Sequence, residues 1–552
     1  MRHFMKQGMA IVCVLAMGVA GCRQQGQPNT EGTVATENTD TTAVRGSEVF
    51  ADATVIELSD EAITVDGNAI STDETSAVYA ANDIVFYLEG QGFTYGEGEE
   101  KDEHSQAEAD AHTVVHITKP GIYAVSGTLS AGQIAIDLGD DAEKDPEAVV
   151  TLILNGVDIQ CNVAPAVIFY EVYECGDDEE ENATNTVDTS EAGANVLIAD
   201  DSVNNVTGSY VARIYKPDSV ELSEDGTEVL DAKKLHKYDA AFYSKMSMNI
   251  NGDEEGTGVL NILAENEGLD SELHLTINGG IINITSGNDG INTNEDGVSV
   301  TTVNGGNLMI RVTGETGEGD GIDSNGWLVI NGGAVIAQAC GKSADAGIDS
   351  DMGIHINGGV VIATGNMLDH ISESTQNYAV FQFASDQKAG EVYTLKNEAG
   401  EVVVSCTPEN DFTYLIFSSA YMTEGICTMW KGDAQLAGSA SETMRGFGGF
   451  GGGMPGDFGG FDGQMPEAME MPEGGFNGEV PDDFKLPEGV ERPDEMGRPV
   501  EGAEPMGMPE GTEQPESGRG VNRFDGMDTI EKSVEFIIKD GGNYFSNVSM
   551  VE

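Results

Sequence analysis

The sequence predicts an all-β protein whose central part is a parallel β-helix. Three observations lead to this prediction: a repeat, short β-branched runs inside it, and a turn motif at a fixed place. A Gly-Ile-Asp-Ser-like motif begins at Gly268, Gly290, Gly321 and Gly347, and an Asn-Gly-Gly turn follows each copy at Asn278, Asn304, Asn331 and Asn357. These Asn residues are 26 or 27 positions apart. A repeat of this length is typical of a solenoid.

The runs between the turns predict strands. Leu275-Thr276-Ile277 and Leu328-Val329-Ile330 are short, rich in β-branched residues and bounded by Gly and Asn, which leaves no room for a helix. A leucine-rich repeat would need Leu-x-x-Leu-x-Leu spacing, and a propeller blade about 40 residues. The architecture that remains is a parallel β-helix with two or three strands per coil. Asn and Gly tolerate a positive φ, and we expect stacked Asn amides to hydrogen-bond to one another along the axis.

The beginning of the chain predicts a lipid-anchored protein. Residues 1–22 have the basic start and apolar run of a signal peptide. Their last four residues, Val19-Ala20-Gly21-Cys22, resemble a bacterial lipobox, which implies cleavage before Cys22 and a diacylglycerol on its sulfur. The alternative is a secretory signal with an incidental cysteine. We expect residues 23–47 to be a flexible tether and the mature protein to lie on the extracellular face of the cell membrane.

Composition divides the remaining chain into segments. We expect residues 48–112 to form an acidic N-terminal region, with strand-like pieces at 55–58 and 84–88 and a mobile loop at 96–112. The β-helix is predicted at 113–376, with a loop outside the coil at 215–237. The remaining segments are a predicted antiparallel β cap at 377–444, a disordered Gly-, Met-, Pro- and Glu-rich segment at 445–522, and a strand at 523–552 that returns to the cap.

The charge of the chain limits its partners. The 552 residues include 26 Lys and Arg against 96 Asp and Glu, which gives a formal net charge of −70. Nucleic acid is excluded as a partner because phosphate binding needs a basic surface. An acidic polysaccharide would also be repelled unless a cation bridges the two sets of carboxylates.

The repeat motif predicts rows of oxygen ligands. Alternation turns Ile322 and Ser324 inward and Asp323 and Asn325 outward. Stacking then aligns one row of Asp270, Asn292, Asp323 and Asp349, and a second row of Glu272, Asn294, Asn325 and Asp351. Like charges on neighbouring strands destabilise a sheet, so we expect a cation between the rows, and oxygen ligands without convergent His or Cys favour calcium.

Further ligands are expected just upstream of the motifs, at Asp289, Asp320 and Asp345. The alternative is that all these residues are solvated turn residues, since Asp and Asn favour turns without a metal.

The order of elements from Gly121 to Trp430 resembles a bacterial β-helix carbohydrate-binding family, which is structurally akin to pectate lyases and whose studied members bind cellulose and acidic plant sugars. The resemblance covers a little over half of the chain. It is carried by the segments Leu154-Asn155-Gly156-Val157-Asp158-Ile159, Leu275-Thr276-Ile277-Asn278-Gly279-Gly280, Asp289-Gly290-Ile291, Asp320-Gly321-Ile322-Asp323-Ser324, Tyr393-Thr394-Leu395-Lys396 and Val402-Val403-Val404-Ser405. It implies a right-handed single-stranded parallel β-helix, bound calcium and extracellular polysaccharide binding. Ala346, before Gly347, departs from the repeat and puts the ligand set of the last coil in doubt.

We assign no catalytic residue from the sequence. A lyase would need a basic residue facing the sugar, and Lys245, Arg311 and Lys342 are the candidates in the repeats. Trp327 is a candidate for stacking on a sugar ring if its strand continues through Gly326. Its alternative role is packing under a loop.

The remaining histidines and cysteines predict no site. His274 and His355 are interpreted as surface or loop-packed groups. No Cys-x-x-Cys motif is present, and Cys406 and Cys427 are candidates for a disulfide on neighbouring strands. We therefore expect a cell-surface module that binds polysaccharide, either acidic sugars such as polygalacturonate or cellulose, through a calcium-loaded β-helix. A calcium-dependent polysaccharide lyase or hydrolase and a surface structural adhesin are the alternatives. The oligomeric state is not predicted.

Overall fold

The computed structural model of the chain describes residues 50–372, 374–441 and 532–551. The predicted signal peptide with Cys22, the tether and the segment 445–522 lie outside these residues and stay predictions. Strands make up 49% of the structure and helices 4%, which confirms the all-β prediction. In the described part, no helix has the length and apolar composition needed to cross a membrane.

Ladder 1 is a series of parallel strands that begins near the start of the described chain. In order of pairing its strands are β1 (Thr54–Leu58), β6 (Gly121–Leu129), β8 (Val150–Gln160), β10 (Ala194–Ile198), β17 (Met248–Gly252), β20 (His274–Ile277), β23 (Val300–Val303), β25 (Trp327–Ile330) and β27 (Gly353–Ile356). Ile250, Ile277 and Val303 are neighbours in this register, and each is at most 1% exposed. One aliphatic side chain from each repeat therefore stacks on the next and builds a continuous core.

Two further ladders run beside the first. The parallel strands of ladder 2 are the second half of β8, then β11 (Val203–Gly208), β18 (Val259–Ala264), β21 (Ile281–Ser286), β24 (Asn307–Val312), β26 (Ala334–Gln338) and β28 (Val360–Gly365). Those of ladder 3 are β5 (Thr113–Ile117), β7 (Gly132–Asp137), β9 (Val167–Glu171), β16 (Ala240–Ser244), β19 (Glu267–Ser271) and β22 (Ile291–Thr293). Single bridges from Ile291 to Ile322 and from Ile322 to Ile348 extend ladder 3. Successive strands of one repeat, such as β17, β18 and β19, belong to ladders 1, 2 and 3 in turn.

The Asn-Gly-Gly turns form a hydrogen-bonded column, which we call the Asn ladder. Each side-chain nitrogen donates to the side-chain oxygen of the preceding repeat, over 2.9 to 3.1 Å, through Asn357, Asn331, Asn304, Asn278 and Asn251. The second glycine needs a positive φ, which is 76° at Gly333, where a Cβ would lie 2.7 Å from the carbonyl oxygen of Gly306. The expected bonding between stacked Asn amides is confirmed.

The end of the chain forms a mostly antiparallel cap. Its strands are β29 (Tyr378–Gln387), β30 (Tyr393–Asn397), β31 (Val402–Cys406), β32 (Phe412–Ser419), β33 (Gly425–Lys431), β34 (Ala434–Ser441), β35 (Phe536–Ile538) and β36 (Gly542–Met550). Strand β32 pairs antiparallel with β28, which joins the cap to the last strand of ladder 2. Strand β35 pairs with β33, and β36 pairs with β29 and β34. Ladders 1 and 2 and the cap are thereby connected into one 25-stranded mixed sheet.

The N-terminal region is more ordered than the sequence predicts. The charged segment 96–112, expected as a mobile loop, contains α1 (Gln106–Ala109), because Ser105 and Glu108 form a capping box. The run 84–88 is not a strand and makes only a bridge from Leu88 to His104. The short strands here are β2 (Thr64–Val65), β3 (Asn68–Ala69) and β4 (Val78–Ala81), and β4 pairs antiparallel with β5.

Segment 215–237, expected as a loop, belongs to two strand pairs. Strand β12 (Val211–Tyr215) pairs antiparallel with β15 (Lys234–Tyr238), and β13 (Glu221–Leu222) pairs with β14 (Val229–Asp231).

The expected disulfide between Cys406 and Cys427 is wrong, since all five described cysteines are free. Cys406 lies opposite Tyr393 and Cys427 opposite Asn397, so the two thiols lie on either side of β30 and near opposite ends of it.

Candidate functional site

The predicted row of oxygen ligands lies on ladder 3. Asp270 is paired directly with Asn292. The bridges from Ile291 to Ile322 and Ile348 place the next residues, Asp323 and Asp349, in the same column. The row Asp270, Asn292, Asp323 and Asp349 is therefore present in the order expected from the repeat.

The surroundings of this row differ from the solvated face that alternation predicts. Asp270 is fully buried and Glu267 is 6% exposed, whereas Asp351 is exposed. Basic residues of β15 lie beside the first part of the two rows. Lys234 Nζ is 3.0 Å from Glu272 Oε1 of the second row, and Lys237 Nζ, 2.6 Å from the carboxylate of Asp239, acts electrostatically on Glu267 and Asp270. The carboxylates are most buried where the strand pair of β12 and β15 lies against ladder 3. The repeat pattern does not encode this contact.

Several oxygens of the row and of nearby Glu267 have no hydrogen-bond partner although they are buried. They are Oε2 of Glu267, Oδ2 of Asp270, Oδ1 of Asn292 and Oδ1 of Asp349. A buried polar oxygen without a partner costs free energy, about 1 to 3 kcal/mol and more when charged. An electropositive group at this place would remove that cost.

Burial and crowding of like charges raise the pKa values of the row. Burial, followed by repulsion from Asp369 and other carboxylates, raises the pKa of Asp349 to about 8. Burial and the charge of Asp351 raise the pKa of Asp323 to about 6. For Glu267 and Asp270, burial and neighbouring carboxylates raise the pKa well above the ordinary range. The folded chain therefore resists ionising these groups unless a cation balances them.

The upstream aspartates do not form one column. Asp289 and Asp320 are aligned, since Gly268 N donates to the carbonyl of Asp289, and Gly290 N donates to that of Asp320. The next member of this column is Ala346, whose carbonyl accepts from Gly321 N. Asp345 lies outside this column, and its carboxylate accepts from Gly319 N at 2.7 Å; its role as a further ligand stays a prediction.

The aligned aspartates bind the backbone of the following repeat. Asp289 Oδ1 accepts from Asp320 N at 2.6 Å, and Asp320 Oδ1 accepts from Ala346 N at 2.5 Å. Burial and nearby carboxylates, Asp323 first among them, raise the pKa of Asp289 to about 7. The pKa of Asp320 is raised by burial and then by Asp349.

The two asparagines of the second row, Asn294 and Asn325, donate hydrogen bonds to neighbouring residues. Asn294 Nδ2 donates to Asp270 Oδ1 at 2.9 Å. Asn325 Nδ2 donates to the backbone oxygen of Asn294 at 3.0 Å and to Asp296 Oδ1 at 2.8 Å. Both amide nitrogens are therefore bound to oxygens of neighbouring repeats or turns.

Three further acidic residues lie near the row and were not predicted from the sequence: Asp239, Glu267 and Asp369. Glu267-Gly268-Leu269 and Asp369-His370-Ile371 share the acid-x-aliphatic spacing of Asp289-Gly290-Ile291, so this spacing is a signal for two of them. Asp239 has no such signal.

The donor set suits a hard cation. Oxygens of Glu267, Asp270 and Asn292 are buried and without partners, and calcium is bound by carboxylate, amide and backbone oxygens together with water. Among the described residues, no three His, Cys, Asp or Glu side chains lie together so that they would hold a metal by themselves. A calcium site here therefore depends on the amide oxygen of Asn292 as well as on the two carboxylates.

Trp327 and the two histidines lie on ladder 1. Asn325 and Gly326 form a bend, so the strand does not continue from Asp323, and Trp327 begins β25 as a half-buried residue. His274 is 2% exposed and accepts from Val300 N, and burial lowers its pKa to about 4. A Cβ on Gly176 would lie 2.7 Å from the His274 ring. His274 is therefore packed under the loop 172–193. This agrees with its interpretation as a loop-packed group and not with the alternative of a surface group.

The candidate lyase bases each contact other parts of the chain. Lys245 pairs with Glu171. Arg311 lies 3.6 Å from Glu409 of the cap. Lys342 donates to the carbonyl of Gly314 at 3.2 Å.

Comparisons with known proteins give one family and one solved structure. The solved structure is that of the polysaccharide lyase-like protein from C. thermocellum, as a gadolinium derivative. It is 19% identical, with a TM-score of 0.30 over 55% of this chain and 90% of that chain. No curated protein matches this chain. The sequence model of a family described as carbohydrate-binding domain-containing protein matches residues 111–402, which are 292 of the 552 residues. The chain belongs to this carbohydrate-binding domain-containing family.

Proposed function

We propose that this chain binds polysaccharide through calcium ions held by the acidic rows of ladder 3. The observation that carries the proposal is the set of buried oxygens without partners on Glu267, Asp270, Asn292 and Asp349. Membership of a carbohydrate-binding family supports polysaccharide as the ligand class. We further propose that the three ladders form a right-handed single-stranded parallel β-helix.

Charge determines how an acidic glycan reaches this surface. A chain with a net charge of −70 repels uronate carboxylates. Calcium held by the half-buried Asp323 and Asp349 supplies positive charge at the protein surface and shares its remaining coordination positions with sugar oxygens and water. The protein residues fix the position of the cations, and the cations bridge to acidic sugars such as polygalacturonate.

We propose binding without cleavage. Removal of a proton from a sugar by a lyase needs a basic group that faces the ligand. Lys245, Arg311 and Lys342 instead make the contacts described above with a glutamate, the cap and a backbone carbonyl.

We also propose that Cys22 anchors the mature chain on the extracellular side of the membrane.

The experiment is retention on immobilised polygalacturonate in calcium and in chelator. We expect retention with calcium, loss of retention in chelator, and no increase in ultraviolet absorbance from unsaturated products. Asp323→Ala with Asp349→Ala should weaken retention. Asp140→Ala with Asp141→Ala, on an exposed turn after β7, removes the same charge and should leave retention unchanged.

Thermal unfolding gives an independent measurement of the cation. A metal that binds only the folded chain adds about 2.7 kcal/mol when its concentration is a hundredfold above Kd. Chelator should therefore lower the melting temperature of the parent protein and have less effect on the double variant at 323 and 349. An identical melt with and without chelator would contradict the cation site, and steady release of unsaturated products would contradict binding without cleavage.

A further inference from the structure

A groove lies on the outer side of ladder 1, whereas the acidic rows lie on ladder 3. Its volume is about 490 Å³, within the usual range of roughly 300 to 1,000 Å³ for small-molecule sites. One wall is formed by Asn304, Asn331 and Asn357 of the Asn ladder. The opposite wall and the floor are formed by loop residues Asn185, Thr186 and Val187 and by strand residues Thr302, Val329 and His355.

The loop that forms the second wall is held to ladder 1 on both sides of Val187. Thr189 is 4% exposed, and its hydroxyl lies 2.7 Å from Asn249 Oδ1 and 2.7 Å from Thr276 Oγ1. Asn185 Nδ2 lies 3.0 Å from His355 Nε2 on β27. The groove is therefore built into the fold by contacts to β17, β20 and β27.

The chemistry of the lining is unusual for this chain. None of the lining residues is Asp, Glu, Lys or Arg, although 96 residues of the chain are acidic. An acidic ligand would find no Lys or Arg in the groove and would be repelled by the rest of the protein. A neutral ligand needs no basic side chain and is not repelled by the negative charge of the protein.

The Asn wall offers hydrogen bonds at regular intervals. Asn331 donates one N–H to Asn304 Oδ1 and accepts one bond from Asn357. A primary amide has two N–H donors and two acceptor lone pairs, so Asn304 and Asn331 each keep one donor and one acceptor for a ligand. The side-chain oxygen of Asn357 accepts from Thr375, so Asn357 keeps one donor. The pairs repeat with the spacing of parallel strands, about 4.8 Å. A hydroxyl both donates and accepts, so a chain of neutral sugars matches this pattern.

We propose that the groove between the Asn ladder and residues 185–187 is a second glycan site, which binds a neutral polysaccharide strand by hydrogen bonds and without a divalent cation. It shares with the proposed function the ligand class, polysaccharide, but uses a different ladder and a different chemistry. The two sites together would let one molecule hold an acidic and a neutral glycan at the same time.

The test is calorimetric titration of the protein in chelator with cellohexaose, xylohexaose and mannohexaose. Thr186→Trp places a large side chain at the exposed edge of the groove without changing a ladder strand. Thr128→Trp makes the same change at an exposed position of β6, outside the lining residues. We expect at least one neutral hexasaccharide to bind the parent and the Thr128 variant equally, and the Thr186 variant at least tenfold more weakly. Melting temperatures of both variants check that they are folded.

Two results would overturn the second site: no binding of any of the three sugars in chelator, or equal binding by a folded Thr186→Trp variant. Retention on polygalacturonate with calcium separates this failure from failure of the proposed function. If that retention persists while the neutral sugars do not bind, only the groove proposal fails. If neutral sugars bind in chelator and polygalacturonate is not retained with calcium, the groove stands and the cation proposal fails.

Discussion

The side-chain nitrogen of Asn304 lies 2.9 Å from the side-chain oxygen of Asn278 in the preceding repeat. The same bond recurs along the whole Asn ladder, and each bond satisfies groups that sequence repetition places in register. Amide ladders of this kind stabilise stacked strands. They also fix the orientation of the amides that line the groove.

We predict that Asn304→Ala lowers the free energy of unfolding by about 1 kcal/mol, because the variant loses two hydrogen bonds at an exposed site. The measurement is denaturant unfolding. Asn307→Ala, an exposed position on β24 in the next ladder, is the matched control and should change stability less. Equal losses in the two variants would show that the ladder adds nothing beyond an ordinary surface amide.

The second prediction concerns pH. Burial and neighbouring carboxylates raise the pKa of Asp323 to about 6, of Asp289 to about 7 and of Asp349 to about 8, from an ordinary value of 3.8. The folded chain then holds these protons more tightly than the unfolded chain. Their contribution to stability is present below about pH 4 and is lost as pH rises through 6 to 8.

In chelator, the melting temperature should therefore fall between pH 4 and pH 8.5, and calcium should reduce this fall because it stabilises the ionised carboxylates. Replacing all three aspartates with asparagine should flatten the profile in chelator relative to the parent. A parent profile in chelator that rises up to pH 8, or a variant with the parent's slope, would contradict this assignment.

The repeat made the alignment of Asp270 with Asn292 predictable, because strand pairing in stacked repeats follows directly from the spacing of like motifs. The same spacing predicted the Asn ladder. Both features depend on contacts between equivalent positions, which a repeated sequence encodes locally.

Contacts between unlike segments were not predictable in this way. The burial of His274 depends on the loop 172–193. The burial of Glu267 accompanies packing of β15 against ladder 3. Cys406 and Cys427 are separated by β30, a pairing order that strand patterns do not specify. Each case requires knowing which distant segment lies on which face.

The third prediction concerns the membrane anchor, which lies outside the described residues. Cys22→Ala should move the protein from the membrane fraction to the medium, because it removes the sulfur that the lipobox-like motif would acylate. Fractionation with immunodetection measures this, and Cys13→Ala, within the apolar run, is the matched control that should remain in the membrane fraction. A Cys22 variant that stays with the membrane would contradict lipidation.

The last prediction concerns Lys237, whose ammonium lies 2.6 Å from the carboxylate of Asp239 at one end of the acidic rows. Burial acts to lower the pKa of Lys237, but the carboxylates of Asp239, Glu267 and Asp270 outweigh it and raise the pKa. The lysine thus serves as an internal counterion for two of the carboxylates that would bind calcium. Lys237→Met should lower stability in chelator by about 1 kcal/mol, a modest loss because the side chain is 45% exposed.

The same variant should gain more stability from calcium than the parent, since the cation then has no ammonium to compete with. Melting temperatures with and without calcium give both effects. Lys245→Met is the matched control, because that side chain is also 45% exposed and pairs with Glu171, outside the rows. Equal calcium-induced increases in the parent and both variants would mean that Lys237 and the cation do not share these carboxylates.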